Sequence, residues 1–148
     1  MLINIKVCIK EILEKGKRFP WKKPDLCPSC NDTVLWGHGF VLNYFEGLNQ
    51  GIYLKRYRCP CCGTVIKLKP LGYFKNFQVS IKTIYSSLKS QIINKTYLPG
   101  MSRNRQYFWF KYLMKNTFAC LGVLFKDRLL EAFSQLIEMK ITPVSCSI

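Results

Sequence analysis

Two short segments of the chain share one design. Cys27-Pro28-Ser29-Cys30-Asn31 and Cys59-Pro60-Cys61-Cys62-Gly63 each place two thiols three positions apart, followed by a residue that tolerates positive φ. Such a turn lets the backbone fold back so that both sulfurs reach one ion, with N–H groups pointing at them. The 28 residues between the turns, 31 to 58, are about what two connected strands occupy. Two knuckles complete a tetrahedron in the layout of a zinc ribbon, so Cys27, Cys30, Cys59 and Cys62 are expected to hold one structural Zn²⁺. Four protein ligands leave no position for a reactive water. For so short a ribbon the metal would supply much of the folding free energy, on the order of 10 kcal/mol of binding.

Cys61 can replace Cys59 or Cys62 only by shortening the loop to one or no intervening residue, which spoils the turn, so it stays outside the ligand set. Cys8, Cys120 and Cys146 have no partner at ligand spacing, and Cys8 and Cys120 read as small buried apolar residues. The opening MLINIKVCIK carries Lys6 and Lys10 and no uninterrupted apolar region, which is not the layout of a secretory signal. A cytoplasmic protein is expected, with thiols rather than disulfides. The longest apolar run, Phe118 to Phe125, is far short of the roughly 18 to 20 residues that span a bilayer, and reads as core.

Charge narrows the partner. Lys and Arg number 23 against 8 Asp and Glu, for a net charge of +15. Between Glu46 and Asp127 there is no acidic residue, whereas Lys55, Arg56, Arg58, Lys67, Lys69, Lys75, Lys82, Lys89, Lys95, Arg103, Arg105, Lys111, Lys115 and Lys126 are all basic. A solvated surface normally mixes both signs. A polyanion is therefore expected, nucleic acid ahead of an anionic membrane surface. Four thiolates and one divalent ion lower the net charge by only two.

The patterning gives an α+β chain in three parts. Residues 1–24 read as an N-terminal helix, over 2–15, and a basic linker broken by Pro20 and Pro24. Residues 25–72 read as a small three-stranded antiparallel zinc ribbon, with strands in 33–45, 51–59 and 64–68. Residues 73–148 read as helical and helix-turn-helix-like. There Ser80 caps a helix carrying Ile81, Ile84, Tyr85, Leu88 and Ile92 on one side, and Ser102 caps a second that starts at Arg103. A last helix is expected over about 118 to 140, ended by Thr142-Pro143.

The strand KRYR puts Lys55 and Tyr57 on one face and Arg56 and Arg58 on the other, and with Lys67 it can track a phosphate backbone. Arg103, Asn104, Arg105 and Gln106 open the second helix, where a recognition helix meets base edges; Arg suits guanine, and Asn or Gln suits adenine. Lys111 and Lys115 on the same helix are grouped with them as DNA-binding candidates. His38, the only histidine, reads as structural or DNA-facing rather than as a fifth ligand.

These residues resemble a known family. CPSCN, a strand with WGHGF, YLKRYRCPCCGTVIKLKP and helices containing SRNRQYFWFKYL look like the N-terminal zinc ribbon and helix-turn-helix of bacterial insertion-sequence transposases. The resemblance covers roughly residues 20 to 115, with Asn31 where the family usually has Gly. It implies Cys27, Cys30, Cys59 and Cys62 as zinc ligands, Arg103 to Gln106 as reading residues, and duplex DNA, including terminal inverted repeats, as partner. A second copy or a separate catalytic transposase subunit is implied as a further partner. Such transposases carry a carboxylate triad on an RNase H-like domain. Here only Asp127, Glu131 and Glu138 lie beyond the first two helices, on one short segment, which does not suit two-metal chemistry. A DNA-binding module without nuclease activity is expected: an orphan, a regulator or one piece of a split transposase. Two other readings are a rubredoxin-like iron protein for electron transfer, although rubredoxins are small and acidic, and a ribbon making RNA or protein contacts within a larger machine.

Overall fold

Ile52 and Leu54 buried on one face and Tyr57 on the other mark the central strand of a sheet covered on both sides. The computed structural model describes residues 1–146, and the chain forms two units, Met1–Val79 and Ser80–Ile148. Strands β1 (Leu2–Ile5), β2 (Trp36–Asn43), β3 (Ile52–Arg58) and β4 (Val65–Pro70) belong to the first unit, in the order β1-β4-β3-β2. Helices α1 (Ile9–Lys15), α2 (Ile81–Lys89), α3 (Arg103–Cys120) and α4 (Leu129–Glu138) complete an α+β chain.

β2, β3 and β4 pair antiparallel, with Gly37 opposite Tyr57 and Tyr57 opposite Ile66. Between Gly37 and Phe40 the register shifts at His38 and Gly39, and Gly39 takes φ 70°, a bulge that glycine accommodates without strain. The fourth strand corrects the expected N-terminal helix. Ile3 and Ile5 use their two-residue alternation, and β1 pairs parallel to β4 with Leu2 opposite Lys67 and Ile5 opposite Pro70. Within 2–15 only Ile9–Lys15 is α-helical, and Gly16, at φ 55°, passes the chain into a short 3-10 turn, Gly16–Arg18. Residues 1–24 are thus part of the sheet unit, and the division between units falls at Val79/Ser80 rather than at 72/73.

Two cores flank this sheet. Leu35, Tyr57, Ile66 and Leu68 surround Cys27 and Cys59, with Ile3 and Ile5 against them. Ile12 of α1 packs with Phe19, Phe45, Ile52 and Leu54, and Trp21 touches both groups. Each fully buried Ile or Leu contributes roughly 1.5 to 3 kcal/mol relative to exposure. Lys69 is 2% exposed; its Nζ donates to the Phe74 carbonyl at 2.6 Å and the Phe77 carbonyl at 3.1 Å, and lies 5.9 Å from the ring centres of Phe45 and Tyr73. This basic residue of the acid-free stretch is buried and holds a loop instead of facing solvent.

In the second unit Ser80 and Ser102 cap as expected, accepting from the N–H groups of Thr83 and Arg105. Ile84 and Leu88 of α2, Trp109 and Leu113 of α3, and Leu129, Ala132, Phe133 and Leu136 of α4 are buried, and Tyr85 meets Phe133 with ring centres 5.6 Å apart. α2 runs into a single π-turn, Ser90–Asn94, which Lys95 ends at φ 57°. The expected helix over 118–140 does not form as one piece. α3 continues to Cys120, Gly122 breaks it at φ 80°, and α4 begins only at Leu129. The apolar run 118–125 is not all core either, since Val123 and Leu124 are 74% and 85% exposed. Asn116 ties the following tail to α3, donating to the carbonyls of Thr142, Pro143 and Ser145.

Candidate metal centre

The two knuckles fold alike. Asn31 N–H donates to the Cys27 carbonyl at 2.8 Å, and Gly63 N–H to the Cys59 carbonyl at 2.9 Å. Cys27 N–H donates to the Asp32 carbonyl at 2.8 Å, and Cys59 N–H to the Thr64 carbonyl at 3.0 Å. Asn31 and Gly63 turn the chain at φ 60° and 73°. Asn is one of the few side-chain-bearing residues that adopts this conformation readily, so the first knuckle closes without glycine.

The Sγ atoms of Cys27, Cys30, Cys59 and Cys62 lie within 4.8 Å of one another. Cys27 and Cys62 are 3.7 Å apart, and Cys30 and Cys59 are 3.5 Å apart. A disulfide needs about 2.05 Å. A tetrahedron with metal–sulfur bonds of about 2.3 Å has edges of about 3.8 Å, so the donor set fits a four-coordinate thiolate-bound ion. Cys27 and Cys59 are fully buried, and Cys30 and Cys62 are the more open pair. The cluster ties the entry of the meander to its second turn: one knuckle precedes β2 and the other links β3 to β4.

Sulfurs this close cannot all be ionised without a cation between them. Thr64, through its hydroxyl at 3.1 Å and its backbone N–H, holds the Cys62 thiol down at about 6. Cys30 is pushed well up: the Asp32 N–H favours its thiolate, but desolvation and the neighbouring thiols outweigh it. Cys59 is also raised, the Cys62 N–H favouring ionisation and desolvation opposing it. A divalent ion reverses that balance, which couples metal binding to proton release.

Cys61 is exposed and its sulfur lies outside the four-cysteine cluster; its backbone N–H only helps to favour the Cys59 thiolate. Thr64 was not among the sequence candidates; its place directly after the knuckle glycine was the available signal. Cys8 is exposed and Cys120 half-buried, so Cys8 is not the core residue expected. His38 lies half-buried in the β2 bulge.

The basic candidates fall on both units. In the first, Lys55 Nζ sits 4.5 Å from the ring centre of Phe40 and 5.8 Å from that of Tyr57, Arg58 is exposed, and Arg56 pairs across from Lys67. Arg56 is half-buried, and its Nε is a buried donor without a partner. In the second, Arg103, Asn104 and Arg105 are exposed in the first turn of α3, with Lys111 and Lys115 exposed further along. Gln106 departs from the expected reading role. It is fully buried and its amide is consumed internally: Oε1 accepts from the Ser87 hydroxyl and the Leu98 N–H, and Nε2 donates to the carbonyls of Leu98 and Met101.

Fold and site together define an α+β protein with a four-cysteine cluster compatible with a structural metal ion. No protein-family model, curated protein or solved structure matches the chain. Among the described residues, no helix is long and apolar enough to cross a membrane.

Proposed function

We propose that this chain is a zinc-dependent, sequence-recognising DNA-binding protein, a transposase-like module without the nuclease domain. In this reading the β2–β4 meander with its knuckles is a zinc ribbon, and α2 and α3 act as a helix-turn-helix-like pair. The observation that carries it is the exposure of Arg103, Asn104 and Arg105 together on the first turn of α3, within a stretch that has no acidic residue from 47 to 126. Cations at a helix N-terminus are disfavoured by the helix dipole, which an anionic partner there would offset. Arg and Asn side chains at that position can pair with guanine and adenine edges. Lys111 and Lys115 along α3, and Lys55, Arg56, Arg58 and Lys67 on the sheet, would neutralise phosphates. The ion holds the meander together and takes no part in chemistry. The chain would act in a bacterial cytoplasm as an orphan, a regulator or a subunit beside a separate catalytic chain.

Selection from a randomised duplex library tests this reading. A recovered motif that Arg103→Ala and Arg105→Ala blur supports it; a pool without a motif sinks it. Metal analysis of the purified protein separates zinc from iron, because a red iron–thiolate spectrum would favour the electron-transfer alternative.

A further inference from the structure

Three cavities of the second unit adjoin one another through shared lining residues. The first, about 340 Å³, has apolar walls from Ile92, Phe110, Met114 and Leu129, with exposed Lys95, Lys126 and Asp127 beside them. The second, also about 340 Å³, shares Lys95 and Phe110 with the first and adds Tyr97 and Tyr107. The third, about 540 Å³, shares Thr96 and Tyr97 with the second and reaches Arg103. Phe110 thus stands between two slots, and Tyr97 between the next two.

The backbone is irregular where this groove begins. α2 widens into the π-turn Ser90–Asn94, and Lys95 follows in the left-handed conformation, which a lysine rarely adopts. π-turns are frequent at functional sites. Here the irregularity places a lysine at the junction of the first two slots.

The lining is selective in two respects. The three cavities are lined by the cations Lys95, Lys126 and Arg103 and by the carboxylate of Asp127, so the groove favours an anionic occupant. Tyr97 and Tyr107 are 40% and 49% exposed and, with Phe110, offer rings against which flat unsaturated rings can stack. A duplex keeps its bases stacked on each other and would present only phosphates here, whereas an unpaired strand presents both.

We propose that this groove holds an unpaired nucleic-acid strand, with successive bases against Phe110, Tyr97 and Tyr107 and phosphates toward Lys95, Lys126 and Arg103. The proposal rests on the nucleic-acid reading for the charge of the partner, but not on duplex recognition by Arg103, Asn104 and Arg105. The test is fluorescence anisotropy of the whole protein, at one salt concentration, with oligo-dT and oligo-rU of about twelve nucleotides and a duplex of equal length. Lys95→Gly removes the charge and suits the left-handed backbone; Tyr97→Ala and Lys126→Ala alter exposed positions and serve if the first variant misfolds. Binding of either oligomer, weakened about tenfold in these variants while duplex affinity holds within about twofold, supports the proposal, and the tighter oligomer identifies the sugar. Duplex binding without single-strand binding, or equal loss on both, overturns it and leaves the duplex reading standing. Absence of binding to any of the three probes overturns both.

Discussion

The side chain of Gln106 grips the backbone of Leu98 at both its polar atoms, donating from Nε2 to the carbonyl at 3.0 Å and accepting at Oε1 from the N–H at 2.9 Å. A fully buried amide thereby fixes the connection between α2 and α3. Gln106→Ala should destabilise the protein by about 3 kcal/mol, because it leaves buried partners unpaired. Denaturant titration measures this, and a loss below about 0.5 kcal/mol would show that the connection holds without it.

Next to this buried residue, Arg103 and Arg105 are exposed and should behave oppositely. Arg103→Ala or Arg105→Ala should change stability little but relax preference for one base pair by about 1 to 3 kcal/mol. Competition between cognate and single-mismatch duplexes reads the effect. Equal loss on all sequences would move these arginines from base reading to phosphate contact.

Affinity for duplex DNA should fall steeply with salt as phosphate counterions are released. Lys55→Ala and Lys67→Ala should weaken binding uniformly across sequences and each reduce the salt slope by about 1. A flat salt response would remove the electrostatic basis of the reading.

At the cage, Cys59→Ser should lose the metal and unfold the first unit. Cys61→Ser should keep both, since the sulfur of Cys61 lies outside the four-cysteine cluster. Thr64→Val removes the hydroxyl that stabilises the Cys62 thiolate and should lower metal affinity roughly tenfold. Competition with a chromophoric chelator measures this, and metal loss from Cys61→Ser would overturn the ligand assignment.

Lys69 gives a dependence on pH. Burial, and to a lesser degree the charge of Lys67, lowers its pKa from 10.5 to about 8. Its folded pKa lies below its unfolded one, so from about pH 8 upward the unfolded chain binds more protons and the folded state gains stability. Below about pH 8 both states are protonated and the contribution is constant. Compared with Lys69→Met, the wild type should therefore gain stability between pH 8 and about 9.5, before tyrosines ionise. A stability difference that stays flat across that range would show that Lys69 remains charged.

Much of the cage was legible because a knuckle is local. Cysteine spacing, a residue suited to positive φ and the following amide all lie within six positions, and Asn31 and Gly63 adopt the expected conformation. The caps at Ser80 and Ser102 were legible for the same reason. β1 was not, because Ile3, Ile5, Val7 and Ile9 keep a strand period while Ile5, Cys8, Ile9, Ile12 and Leu13 keep a helical one, and the partner that decides lies more than sixty residues away. Gly122 was passed over because Leu121, Phe125 and Leu129 continue a helical spacing through it; its positive φ overrides their periodicity. Gln106 misled because a polar residue in a first helical turn reads as solvent-facing, and nothing local shows that a loop eight residues back will take up its amide.

The parallel pairing of β1 with β4 also bears on the order in which the first unit is made. Leu2–Ile5 leave the ribosome well before their hydrogen-bonding partners, Lys67–Pro70, which follow only after both knuckles have emerged. Contacts so distant in sequence form late. The meander and its cysteines can therefore assemble while β1 still waits, and docking of that strand finishes the sheet.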